Sequence, residues 1–259
     1  ISYYRFISAM ANDFDKEYDK FLKKVEDIKP LIFRPENLFI STTGRDEAFC
    51  AVKDYIPSLL SRLNAFRDID VKGNPGSIIS DGRPEVRKPE EVNEGFMTTG
   101  QVQYVCRAGD FKKAGFEYSG ALNILKVMLG YDYFWINVRV KGGAYGCGGN
   151  FMRNGSVFFT SYRDPDLAKT IDIFNKTDEY LLNFDADERT MTKYIIGTFG
   201  ALDTPLNPEA KGSRSMAAYL EHLTYEEIQK EREEILTATP EDIRSLSDLI
   251  ASILSDQCL

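Results

Sequence analysis

Arg139 and Tyr145 stand six residues apart in Arg139-Val-Lys-Gly-Gly-Ala-Tyr145-Gly146, with Gly142 and Gly143 between them. Arginine brings a planar fork of N–H donors and tyrosine a phenolic O–H. Both types stabilise charge that develops on a carbonyl oxygen. A loop carrying two glycines is expected to be very flexible, so that both donors can converge on one carbonyl. Glycine also lets a peptide backbone approach closely. On residue chemistry alone a quieter account is open as well, with Arg139 as a salt-bridge partner at a strand end and Tyr145 as an amphipathic core residue.

Five glycines fall within eight residues: Gly142, Gly143, Gly146, Gly148 and Gly149. A phosphate-binding loop would need Gly-Lys-Ser/Thr at its end, whereas Lys141 precedes the glycines here. A dinucleotide fingerprint would need a helix after the loop, but the chain continues with strand-like spacing. Both nucleotide readings are poor. Metal chemistry lacks a ligand set too. His222 is the single histidine, and Cys50, Cys106, Cys147 and Cys258 contain no C-x-x-C pair. His222 reads as a surface or packing residue.

The run Tyr133-Phe-Trp-Ile-Asn-Val-Arg-Val-Lys-Gly-Gly-Ala-Tyr-Gly146, followed by Ser161-Tyr-Arg-Asp-Pro165, resembles the last domain of presequence-protease-like peptidases. These form one branch of the insulinase (pitrilysin) superfamily of zinc peptidases. The resemblance runs from about Tyr3 to Leu254. It implies that Arg139 and Tyr145 are catalytic donors to a substrate carbonyl, within a substrate-binding stretch of Arg139, Gly142, Gly143, Ala144 and Tyr145. It implies zinc in the full-length parent, held in a different domain by an inverted H-x-x-E-H motif. No metal is expected to be bound by this chain.

The function so implied is that of a C-terminal substrate-binding domain of a zinc metalloendopeptidase that degrades short unstructured peptides. Its partners would be the N-terminal half of the same polypeptide and the peptide substrates. The chain by itself is expected to be inactive, and its first residue, Ile1 rather than Met, fits a fragment of a longer polypeptide. The alternative is a non-catalytic structural or peptide-holding subunit of the same fold. Keeping both Arg139 and Tyr145 leans toward catalysis, since a purely structural relative needs no carbonyl donors.

The elements that must position these residues come from a chain of ordinary globular composition, 43% hydrophobic and 28% charged. A net charge of −8 argues against nucleic acid as a partner. No apolar run approaches the roughly 20 residues that cross a bilayer, so no membrane partner is expected. The scattered cysteines favour a reducing, cytoplasmic compartment.

Tyr3, Phe6, Ile7, Met10, Phe14, Tyr18, Phe21, Leu22, Val25 and Ile28 predict one long amphipathic helix ending before Pro30. Residues 1–34 are read as a connection from a preceding region, and 35–259 as the domain proper. That domain is expected to open on a buried strand over 37–44, followed by a helix over 46–67 with a kink at Pro57. Residues 67–91 read as a mobile surface connection, a candidate rim or lid. A strand through Gln101–Cys106, a helix over 116–129 and two strands over 144–151 and 156–161 follow, with Asn154-Gly155 turning the hairpin. Asp164 with Pro165 is expected to cap a helix running to about Asn183, and Thr239-Pro240 a later one. Trp135 and Phe134 read as core, and Glu226–Glu234 as a solvated helix face.

Strands in the first two-thirds and helices at the end give an α+β class, one mostly antiparallel sheet covered by helices. The resemblance implies a LuxS/metallopeptidase-like two-layer form of it.

Overall fold

The computed structural model describes residues 2–67, 95–97 and 99–254. The polar connection expected over 67–91 thus falls almost wholly outside the described residues, as does Cys258. The chain packs as two compact units, one of residues 1–89 with 206–217 and the other of 90–205 with 218–259.

The first unit is helical. Helix α1 spans Ser2–Asn12 and helix α2 spans Phe14–Ile32. The single helix expected here is interrupted at Asp13, whose φ of −149° and ψ of 69° leave the helical region. The helix end expected before Pro30 is also corrected. Pro30 lies in the last turn of α2, where its missing N–H removes one helical bond and the chain still closes through Phe33 N–H to the Lys29 carbonyl. The strand expected over 37–44 does not form. Pro35–Asn37 makes a short 3-10 turn, the backbone beyond it is irregular, and Phe39 and Ile40 are exposed. Hydrophobic residues alone do not make a strand without a ladder partner. Helix α3 then spans Asp46–Arg67, as its spacing predicts, with Pro57 inside it. By packing, residues 35–67 side with the leading helices; a boundary after residue 34 stays a proposal about family organisation.

The second unit holds an antiparallel sheet of β1 (Gln103–Asp110), β2 (Gly146–Phe151) and β3 (Ser156–Asp164), in the order β1-β3-β2. The predicted β2–β3 hairpin is present, with Gly155 at φ +101° where its amide donates to the Met152 carbonyl. Val105, Val157 and Phe159 alternate inward and are buried, while Tyr104 and Cys106 are exposed. Helix α4 (Ala121–Met128) packs on β2 and helix α5 (Leu167–Asn175) on β1 and β3. Helix α6 (Thr177–Leu182), α7 (Glu188–Leu202), α9 (Tyr225–Leu236) and α10 (Pro240–Leu254) also belong to this unit, whereas most of α8 (Pro208–Leu220) belongs to the first. Phe134 sits at the centre of the core, edge-on to Phe159 at 5.1 Å and to Phe174 at 4.9 Å. The α+β class therefore holds.

Three local readings change. The helix expected to run to Asn183 breaks at Lys176 into α5 and α6. Its cap is Asp166, whose side chain accepts from the Lys169 amide, and Asp164 does other work. In α9, Glu231 is buried rather than solvated. It accepts from Asn123 Nδ2 at 2.7 Å and pairs with Arg153. The Thr239 cap is present as expected, with its hydroxyl accepting from the Asp242 amide.

Candidate active site

Helix α4 runs on without a break into π-helical turns over Leu129–Tyr133 and Trp135–Val140. There the backbone bonds reach five residues back, as from Lys141 N–H to the Ile136 carbonyl at 2.9 Å. Arg139 thus lies in the last turn of a helix, not at a strand end. Phe134 and Val138 face the core and are fully buried. Trp135, expected in the core, stays 37% exposed and lies under Arg139, whose Cζ is 3.9 Å from the ring centroid. That stacking holds the guanidinium plane while its N–H edges remain available.

The glycines end this helix. Gly143 adopts φ +86° and its amide donates to the Arg139 carbonyl at 2.9 Å, the left-handed termination that glycine favours. A Cβ on Gly142 would meet the Val138 carbonyl oxygen at 2.3 Å. Ala144 is buried and its amide donates to the Val138 carbonyl at 3.2 Å. The loop expected to be flexible is therefore a tied turn. Its residues fix the step from Arg139 to Tyr145, and only Gly143 and Tyr145 of its later part are exposed.

Tyr145 enters the sheet through its amide, which donates to the Tyr162 carbonyl at 3.0 Å. Its side chain is 64% exposed, with the ring 5.9 Å from Arg139 Cζ and edge-on to Tyr162 at 5.6 Å. Tyr104 of β1 adds a third ring, 5.1 Å from Tyr162. Among the described residues, Arg139 forms no ion pair and the Tyr145 hydroxyl no hydrogen bond, so their donors are unspent.

The end of β3 shapes the far side. Val105 pairs with Ser161 and Gln103 with Asp164, so β3 carries one residue more than β1 across this step. This is a β-bulge, and Arg163 in it has φ +48°, a conformation that costs a non-glycine residue roughly 1–2 kcal/mol. The bulge turns Asp164 inward. It is fully buried, and its carboxylate accepts from Ser161 Oγ at 2.5 Å, Thr170 Oγ1 at 2.6 Å and the Asp166 amide at 2.9 Å. On β2, burial pushes the Cys147 thiol up to about 11 despite the nearby Arg139 charge, which leaves it a neutral group at pH 7. Arg163 and Asp164 are the site features that residue spacing did not single out. The readable signal was the burial phase of Val157, Phe159 and Ser161, which slips by one before Asp164.

The profile of the PreP C-terminal domain family matches residues 93–258, well over half of the chain. The chain belongs to that family. As a PreP C-terminal domain it is similar to Protein HypA of Clostridium perfringens, at 40% identity over 99% of this chain and 25% of that protein. Presequence protease 1, chloroplastic/mitochondrial, of Arabidopsis thaliana is 32% identical over 96% of this chain and 22% of its own length. The mitochondrial presequence protease of Emericella nidulans is 33% identical over 50% of this chain and 12% of its own length. The chain thus spans about a quarter of the first of these relatives and less of the others. The PreP match covers the π-helical turns, the glycine turn and the bulge alike.

Proposed function

We propose that this chain is the substrate-binding C-terminal domain of a zinc metalloendopeptidase that cuts short unstructured peptides. Its fold is the LuxS/metallopeptidase-like two-layer arrangement, and the N-terminal half of the same polypeptide is its partner. The observation that supports the reading is that Arg139 Cζ lies 5.9 Å from the ring of the exposed Tyr145, with neither an ion pair on Arg139 nor a hydrogen bond on the Tyr145 hydroxyl among the described residues.

Each donor is held by its own neighbours. Trp135 supports the Arg139 guanidinium, and the bond from the Tyr145 amide to the Tyr162 carbonyl fixes where the phenol starts. An extended peptide laid beside the turn would present a carbonyl to both groups. Their N–H and O–H bonds would strengthen as negative charge grows on that oxygen, which is where preorganised donors lower a barrier. Zinc held outside this chain would supply Lewis-acid polarisation of the same bond. Among the described residues no group of three or more His, Cys, Asp or Glu side chains is placed to hold a metal.

Arg139→Ala in the intact peptidase tests the reading. Turnover should fall about 10²–10³-fold, the effect of losing one such donor, with zinc content unchanged. Turnover at the wild-type level would overturn the assignment.

A further inference from the structure

Arg163 occupies a backbone conformation that disfavours any side chain, at a bulge locked from beneath by a buried carboxylate. The nearby Asp166 carboxylate is engaged by the Lys169 amide. Among the described residues Arg163 has no ion-pair partner, and its guanidinium projects over two rings of the site. Its Cζ lies 5.5 Å from the Tyr162 centroid and 5.9 Å from that of Tyr145. Arg139 Cζ is also 5.9 Å from the Tyr145 centroid, so the separation of the two charges cannot exceed twice that. Lys169, whose ammonium donates to the Lys141 carbonyl at 3.2 Å, adds positive charge beside the turn. In a chain of net charge −8 this face is a local basic patch.

Resting on the proposed role of Arg139 and Tyr145, we propose that Arg163 is a second substrate-contacting guanidinium, which binds a carboxylate of the peptide. A planar fork with no ion-pair partner among the described residues suits a carboxylate better than any other peptide group. An extended strand advances about 3.3 Å per residue, so that carboxylate lies within about three residues of the carbonyl held by Arg139. It is supplied by an acidic side chain or by the peptide's C-terminus. Arg163 thereby sets a preference among substrates, whereas Arg139 and Tyr145 act on all of them.

The test compares kcat/KM of the intact peptidase on matched peptides. One pair differs by Glu against Gln near the cleaved bond, the other by a free C-terminal carboxylate against its amide. The acidic member of at least one pair should be favoured by roughly three- to fivefold, the size of a partly exposed ion pair, and less so at high salt. The pair that shows the preference identifies the source of the carboxylate. Arg163→Gln should bring the ratio to about one, and Arg163→Lys should keep part of it. Arg163→Gly relieves the backbone and should match Arg163→Gln. A ratio kept in Arg163→Gly would trace the loss to a disturbed bulge and overturn the inference. A wild-type ratio near one, or a ratio that survives Arg163→Gln, would overturn it too, and neither result touches the Arg139 reading. That reading fails separately, if Arg139→Ala leaves both members of each pair at wild-type rates.

Discussion

Arg139 works through what lies beneath it. With its Cζ 3.9 Å from the Trp135 centroid, the guanidinium is held without being neutralised. In the proposed site Trp135 is a positioning residue, and in the intact peptidase Trp135→Phe should keep more of kcat than Trp135→Ala, with zinc content unchanged in both. Equal losses in the two variants would show that the stacked ring does not matter. Asp164 plays the corresponding part under Arg163. Asp164→Ala would strand the Ser161 and Thr170 hydroxyls and the Asp166 amide. Each of the two buried hydroxyls left unsatisfied costs about 1–3 kcal/mol. A urea midpoint lowered by that scale is expected, and an unchanged midpoint would contradict the network.

At the scale of elements, the helix that starts as α4 and ends in π-helical turns is the part on which the site depends. Phe134 anchors it against Phe159 and Phe174, so Phe134→Ala should cost about 3–5 kcal/mol in thermal or urea unfolding. Gly142→Ala should be worse tolerated than a typical surface change, because the new methyl would press on the Val138 carbonyl oxygen.

Much of this layer was readable in the sequence. The α3 spacing, the Asn154-Gly155 hairpin, the alternation in β1 and the Thr239 cap each follow from local chemistry. The π-helical turns did not, because Gly130 and the mixed run through Asn137 break the usual helical period. The strand expected over 37–44 misled for the opposite reason, since its apolar residues suit a strand but no ladder with another strand forms there among the described residues. For the candidate site, residue types left Arg139 and Tyr145 open and the family resemblance pointed to them, while Arg163 looked like part of a strand end and cap. Only the register between β1 and β3 reveals the bulge that turns it outward.

Across the whole molecule, half-buried phenols tie stability to pH. Burial, reinforced by nearby carboxylates, pushes Tyr118, Tyr133 and Tyr180 up to about 12. An unfolded tyrosine ionises near 10, so the folded state holds these protons more tightly. Their contribution is fully present below pH ~10 and is lost as pH rises toward about 12. The urea midpoint should therefore drop between pH 9 and pH 11, whereas a flat profile would mean that these rings open freely to solvent. Under the proposed function, activity is the other property of the whole, because it would require this chain and its partner half together. The most direct measurement is kcat of the intact peptidase carrying Tyr145→Phe. That change removes one hydroxyl and leaves the ring packed beside Tyr162, Arg139 and Arg163. A fall of about 10²–10³-fold with zinc content intact is the predicted result. Turnover equal to wild type would contradict the claim that this face of the chain holds the substrate carbonyl.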